Sequence, residues 1–391
     1  MAGLWLLAVP SHAQKKEIEE AQTIIKSGKK VEQAEKLMVD LLKKDSANRK
    51  NPKIFATWFD AVEAQYVQAN EKLYLKQKYD TAAFFNLTRH LFDIAEALDS
   101  LDALPNKRGR VKLKYREDNS ELLDRLRINL YYGGTFHVRK NDFAQAYDYF
   151  HHYLDAAQQP LFSTYQYAEK DSMMPQVAYW ATYSGYRLQD AEKTLYYAEL
   201  AKGYQPRVQY VLQYQCEAYL LQKRQEAYLQ TLREGFRQFP EYPYFFPRLA
   251  DYYTAQGQSD SLMYISEYGL QVNGEEPLFL LAKSMALLQT NRYDECIAVS
   301  KLMIAANDTL PEPYYNIGTC YLNQALELEH RGEPRKYRQE LQRLYAAARP
   351  YMEKYRQLMP ADRQRWAPAL YRIYLNLNMG KQFEEIDKLM R

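Results

Sequence analysis

Apolar residues recur along most of this chain at spacings of three and four, the pattern of an amphipathic helix. Ile18, Ala21 and Ile25 form one stripe, and after Gly28 a second follows in Val31, Ala34, Met38 and Leu41. Phe55, Trp58, Phe59, Val62 and Tyr66 make a third, and Phe84, Leu87, Leu91, Ile94 and Leu98 a fourth. Farther along, the stripes acquire a register. Units begin at Pro175, Gln209, Pro243, Pro277 and Pro311, four consecutive steps of 34 residues. Their fourth, seventh, eighth and eleventh places read Phe246, Leu249, Ala250, Tyr253 in one unit and Tyr314, Ile317, Gly318, Tyr321 in another, with a small residue at the helix crossing. The later half of each unit carries a second stripe, such as Tyr228, Leu232 and Gly235 before Pro240. Each period therefore predicts two helices, and neither can bury its apolar face alone.

The run 314–321 (Tyr-Tyr-Asn-Ile-Gly-Thr-Cys-Tyr), together with Arg292-Tyr293-Asp294-Glu295-Cys296-Ile297 as the start of a second helix, resembles the tetratricopeptide repeat (TPR) family. The resemblance implies an all-α, right-handed α-solenoid of helix hairpins. A further unit opens near Arg127 with Leu130, Gly133 and Gly134, continues through Phe143, Ala146, Phe150 and Tyr153, and is followed by an insert at 161–174. Residues 326–345 lengthen the Pro311 unit, and 366–391 read as a closing pair with Leu370, Ile373, Tyr374 and Leu377 on one face. The expected organisation is a leader at 1–13, divergent hairpins at 14–104, a basic insert at 105–119 and the repeat array at 120–391.

Composition agrees with helices: 14 Gly and 16 Pro in 391 residues leave few tight turns, and 37 Tyr supply large rings for packing. The leader reading rests on the apolar run 4–9, Pro10 and the small residues Ser11 and Ala13, which predict cleavage after Ala13 and a mature start at Gln14. No Lys or Arg precedes Lys15, so the genuine start is expected upstream. No cysteine lies near the cleavage site to carry a lipid, and no stretch reaches the ~20 apolar residues of a membrane span. The expected product is soluble, in the periplasm or secreted by a Gram-negative bacterium. Cys216, Cys296 and Cys320 are an odd number within helical patterns, read as buried thiols, with a Cys296–Cys320 bridge left open.

Chemistry is sparse. No nucleotide, nucleophile-elbow or zinc motif occurs, the six histidines are scattered, and adjacent His151 and His152 point to different helix faces. No catalytic residue, cofactor or metal is expected, and the chain is read as a non-enzyme. A net charge of +3 speaks against general nucleic-acid binding. The most unusual segment, 105–116, carries Lys107, Arg108, Arg110, Lys112, Lys114 and Arg116 with no acid, a solvated loop or an arm for an acidic partner or anionic headgroups.

In TPR superhelices the first helix of each pair lines the concave groove. The resemblance maps Tyr131, Thr135, Arg139, Tyr179, Tyr183, Arg187, Tyr210, Gln213, Glu217, Tyr244, Asp251, Tyr315 and Asn323 there, an aromatic and polar lining suited to a protein or peptide partner. Several of these tyrosines could equally be packing between repeats. Of the carboxylate clamp found in chaperone-binding TPR domains only Asn316 is matched, so that ligand is not carried over. The leading expectation is a protein-interaction scaffold or assembly factor of the cell envelope. The alternatives are a carbohydrate-binding or polysaccharide-export accessory protein and, third, an enzyme built from the inserts at 161–174 and 331–345.

Overall fold

The computed structural model describes residues 9–105, 108–332 and 336–391, and among them there is no strand. The first four stripes fold as α1 (Val9–Ser27), α2 (Val31–Lys44) and the longer α3 (Pro52–Tyr74) and α4 (Thr81–Asp102). Helix α1 runs through residues 13 and 14, and the apolar run of the expected leader lies almost wholly outside the described residues. One helix was not foreseen. Arg116 opens α5 (Arg116–Leu126), so the helical array resumes inside the segment read as basic insert. Its signal was weak because Glu117, Asp118, Glu121 and Asp124 leave only Leu123 and Leu126 as buried apolar anchors.

The unit at Arg127 comprises α6 (Ile128–Arg139) and α7 (Phe143–Asp155), followed by the insert with its single-turn α8 (Tyr167–Lys170). Next come α9 (Met174–Arg187) and a second helix broken at Tyr197 into α10 (Ala191–Tyr196) and α11 (Ala198–Ala201). Helix α12 (Val208–Leu221) and α13 (Gln225–Gln238) continue the order. Beyond them lie α14 (Phe245–Ala255), α15 (Ser259–Val272), α16 (Pro277–Gln289) and α17 (Tyr293–Ala306). The lengthened pair is α18 (Pro311–His330) with α19 (Arg338–Leu358), and α20 (Arg363–Asn376) with α21 (Gly380–Met390) closes the chain.

The helices group into two compact units, one ending at Tyr228 and the other starting at Leu229. Within each unit helices pack on neighbours in sequence, as α1 does on α2, α6 on α7, α15 on α16 and α18 on α19, and first helices also touch across a hairpin, as α1 does α3 and α16 does α18. This neighbour-to-neighbour order is the helix-hairpin array that the 34-residue register predicts. In the first unit the core runs through Phe92, Leu123, Tyr149, Phe150, Val177 and Val211; in the second, one cluster centres on Tyr345, Met352, Tyr355 and Leu370. Small residues at the crossings allow close approach. A Cβ at Gly185 would stand 2.5 Å from the Thr194 backbone nitrogen, so α9 and α10 meet there main chain to side face.

The turn inside each hairpin repeats in its backbone. Gln189, Lys223, Gly257 and Asn291, spaced by 34, all have positive φ, between 55° and 64°. Each closes the preceding helix with a pair of main-chain bonds, as when Gln189 N–H donates to the Tyr186 carbonyl and Asp190 N–H to that of Gly185. This is the Schellman closure, which caps the last carbonyls of a helix without help from any side chain. Only one of the four residues is glycine, so letter patterns did not reveal it.

The three cysteines are buried free thiols. Cys296 Sγ donates to the Ser284 carbonyl at 3.2 Å, and its neighbour Cys320 shares the same small core cluster. Asn316, the one residue matching the carboxylate clamp, is buried and donates to Ser284 Oγ at 2.9 Å, an internal contact from α18 to α16.

Candidate functional site

In the first unit the first-helix face is built by α6, α9 and α12. Tyr183 stands at its centre, with ring centroids of Phe143, Trp180 and Tyr214 all 5.8 Å away. One turn farther on α9, Arg187 donates from Nη1 to the Tyr183 hydroxyl at 2.6 Å, and its guanidinium lies 4.3 Å from the Phe143 ring centroid. Arg187 is exposed yet held, and a planar fork already oriented loses little freedom on binding a carboxylate or carbonyl. Beside it is a cleft of about 260 Å³ lined by Tyr186, Arg187, Gln189, Thr194, Glu217, Ala218 and Leu221. Toward the N-terminal side, the Tyr131 hydroxyl accepts a hydrogen bond from Gln176 at 2.8 Å, Thr135 is half-buried and Arg139 is exposed. Toward the other side, Tyr210 and Gln213 are half-buried, with Arg207 5.4 Å from the Tyr210 ring centroid.

Three of the expected groove tyrosines do other work. Tyr179 is 6% exposed, packed against Trp180, Tyr204 and Tyr214, and burial pushes its hydroxyl pKa up. Tyr244 is equally buried, with the Arg248 guanidinium 3.7 Å from its ring centroid. Tyr315 has one face covered by Arg365 at 3.7 Å, which reaches over from α20 and also pairs with Glu312 and Asp362. Of the remaining mapped positions, Asp251 is exposed and Asn323 half-buried. The reason is common to all three: a tyrosine wide enough to serve a ligand is equally wide enough to fill the gap between adjacent hairpins, and helix spacing does not separate the two uses.

A residue that pattern reasoning passed over organises the insert. Arg127 is buried, its guanidinium between the rings of Tyr153 at 3.7 Å and Tyr167 at 3.9 Å. It donates to Asp171 at 2.6 Å and twice to the Tyr153 carbonyl, while Tyr153 and Tyr167 donate to Asp171 and Asp124. These bonds pin 161–174 to the hairpin beneath it. A buried arginine beside two tyrosines and two aspartates is visible in sequence only once the fold has brought residues 44 apart together.

The paired histidines face apart. His151 Nδ1 lies 2.6 Å from the Tyr197 hydroxyl, and burial lowers its pKa. His152 instead meets Asp93 of α4 through Nε2 at 2.9 Å and the Asp148 carbonyl through Nδ1 at 2.7 Å. Tyr147 and His151 lie nearly parallel, 11° apart, on one side of an open cleft of about 470 Å³ that Tyr196, 63% exposed, and the carboxylates Asp148 and Glu192 also line. Among the described residues no group of three His, Cys, Asp or Glu side chains converges as a metal site would require.

Of the basic segment, Lys107 lies outside the described residues, and Arg108, Arg110, Lys112 and Lys114 are exposed. Arg116 is not part of a free arm. It makes a two-pronged pair with the buried Asp99 at 2.7 and 2.8 Å, and Asp102 accepts from the main-chain N–H groups of Lys114 and Tyr115, so α4 holds the end of the segment.

No family model and no curated protein matches this sequence. Solved structures with similar backbones include the TPR domain of P58(IPK), 10% identical, covering 96% of this chain and 99% of that one with a TM-score of 0.26. Yeast Tom70 is 11% identical over 95% and 97% of the two chains, TM-score 0.33. The APC/C hetero-tetramer Cut9–Hcn1 is 13% identical over 94% and 84%, TM-score 0.24. The fold itself is read from this chain's own hairpins and their register.

Proposed function

We propose that this protein is a non-enzymatic interaction scaffold whose first unit grips a partner protein along the face of α6, α9 and α12. The observation that carries the reading is Arg187, exposed at the edge of a cleft and fixed in place by Tyr183 and Phe143. With Tyr131, Arg139, Tyr183 and Tyr210 it offers rigid aromatic area, and a guanidinium whose ordering cost has been met in the fold. The partner is a protein segment presenting a carboxylate or main-chain carbonyl to Arg187 and apolar side chains to the tyrosines. The apolar run at 4–9 with Ser11 and Ala13 supports export, and we place the scaffold in the envelope of a Gram-negative bacterium as an assembly factor.

The test is affinity capture from envelope extract with the chain from Gln14, beside a Tyr183→Phe, Arg187→Ala variant. A partner held by the parent and weakened by about 30-fold or more in the variant is the expected result, the scale of an interface hot spot. A partner held equally by both removes this face from the reading. Carbohydrate binding is the second reading, favoured by the parallel Tyr147 and His151 rings beside exposed Tyr196. Retention of glycans with no captured protein would put it first.

A further inference from the structure

The groove reading leaves the basic segment without a task. Residues 108–114 form an unbroken exposed stretch in which Arg108, Arg110, Lys112 and Lys114 alternate with Gly109, Val111 and Leu113. Val111 is 53% and Leu113 40% exposed, and Leu104, just before the segment, is 61% exposed. Apolar side chains bared in this way lose free energy in water and recover it only against another surface.

Position strengthens the case. Lys114 and Tyr115 line an open cleft of about 510 Å³ together with Lys15 of α1 and Lys53 at the start of α3, so cations from three parts of the chain converge at one end of the α1–α4 pair of hairpins. The acids lining this cleft are Glu19, which meets Lys15 at 3.7 Å, and Asp60, and Asp102 lies against the backbone of Lys114 and Tyr115. The segment is also anchored: Arg116 clamps Asp99, and Asp102 holds two of its backbone N–H groups. The segment is thus held at its Lys114–Arg116 end and exposed along 108–114.

We infer that the end of the first unit formed by 108–114, Leu104, Lys15 and Lys53 is a peripheral docking surface for an anionic lipid bilayer. Headgroup phosphates take the lysines and arginines, and Leu104, Val111 and Leu113 enter the interface. The exposed aliphatic residues decide for a bilayer against a soluble acidic partner, because a polyanion in water would neutralise the charges and leave the apolar groups wet. The described residues contain no helix long and apolar enough to cross a membrane, so the association is on the surface.

The test is co-sedimentation of the full chain with vesicles of phosphatidylcholine alone and of phosphatidylcholine with phosphatidylglycerol, at low and high salt. Binding to the anionic vesicles only, lost at high salt, is expected. Each Lys or Arg near a charged surface contributes about 1 kcal/mol, roughly a fivefold change in partition, so Lys112→Glu should weaken binding by about 25-fold and Lys53→Glu similarly. Val111→Ser with Leu113→Ser, checked for unchanged helix content, should weaken it further with charge unaltered. No binding to anionic vesicles, or binding indifferent to these variants, overturns the inference. So does binding to soluble polyglutamate that equals vesicle binding and is untouched by the serine variants, which would mark an acidic protein partner.

Discussion

Arg127 donates to Asp171 at 2.6 Å from a site where the arginine side chain keeps 6% and the aspartate 14% of its exposure. A pair so removed from water is sustained by geometry, and removing one partner strands the other. Arg127→Ala is therefore expected to lower unfolding free energy by about 3–5 kcal/mol, read from the denaturant midpoint. Arg127→Lys should recover little, because an ammonium cannot reach Asp171 and the Tyr153 carbonyl together while lying flat between two rings.

The α9–α10 crossing admits no side chain at Gly185. Gly185→Ala must push against the Thr194 main chain and is expected to cost about 1–3 kcal/mol, measured by thermal or chemical unfolding of the first unit. Four residues on, the sign reverses. Gln189 occupies the left-handed region at a strain of roughly 1–2 kcal/mol, so Gln189→Gly should be neutral to stabilising by about 0.5 kcal/mol after the extra freedom of the unfolded chain is counted.

Stability should fall as pH rises from about 5 to 9. Burial works against charge on His152, but its bonds to Asp93 and the Asp148 carbonyl, and the charges of both acids, outweigh this and push its pKa up to about 9. The folded state thus holds a proton that the unfolded state releases near 6.5, a contribution complete below 6.5 and lost through 9. Glu96 sits close by, its pKa raised to about 7 by burial, against His152 and with Asp155 and Asp93. It too keeps a proton that the unfolded chain gives up near 4.5, so its ionisation costs stability between 4.5 and 7. Unfolding midpoints against pH check both: Glu96→Gln should flatten the lower limb and His152→Gln the upper.

Cys216, Cys296 and Cys320 are each fully buried. A thiol reagent should find none of them in the folded protein and all three in denaturant. Fast labelling of one under native conditions would reveal local opening of its helix.

Sequence disclosed the hairpins because burial of one helix face repeats in letters: the stripes at Val31–Leu41 in α2 and at Leu370–Tyr374 in α20 are buried where expected. It did not disclose α5, whose acidic surface dilutes the pattern, nor the break at Tyr197, where local backbone choice prevails. On the candidate face, Arg187 is exposed and Tyr183 half-buried, whereas Tyr179 and Tyr244 are buried and Tyr315 has one ring face covered, the packing role that spacing alone leaves open. Whether a ring is covered depends on its neighbour one hairpin away, such as Arg365 over Tyr315, and no local spacing encodes that neighbour.

The left-handed turn that recurs every 34 residues is closed by main-chain groups alone, and Gln, Lys, Gly and Asn stand at its four equivalent places. Nothing about the side chain there is enforced beyond tolerance of one backbone well. The chain's repeats accordingly share one bend under four different spellings, a likeness held in torsion angles rather than in letters.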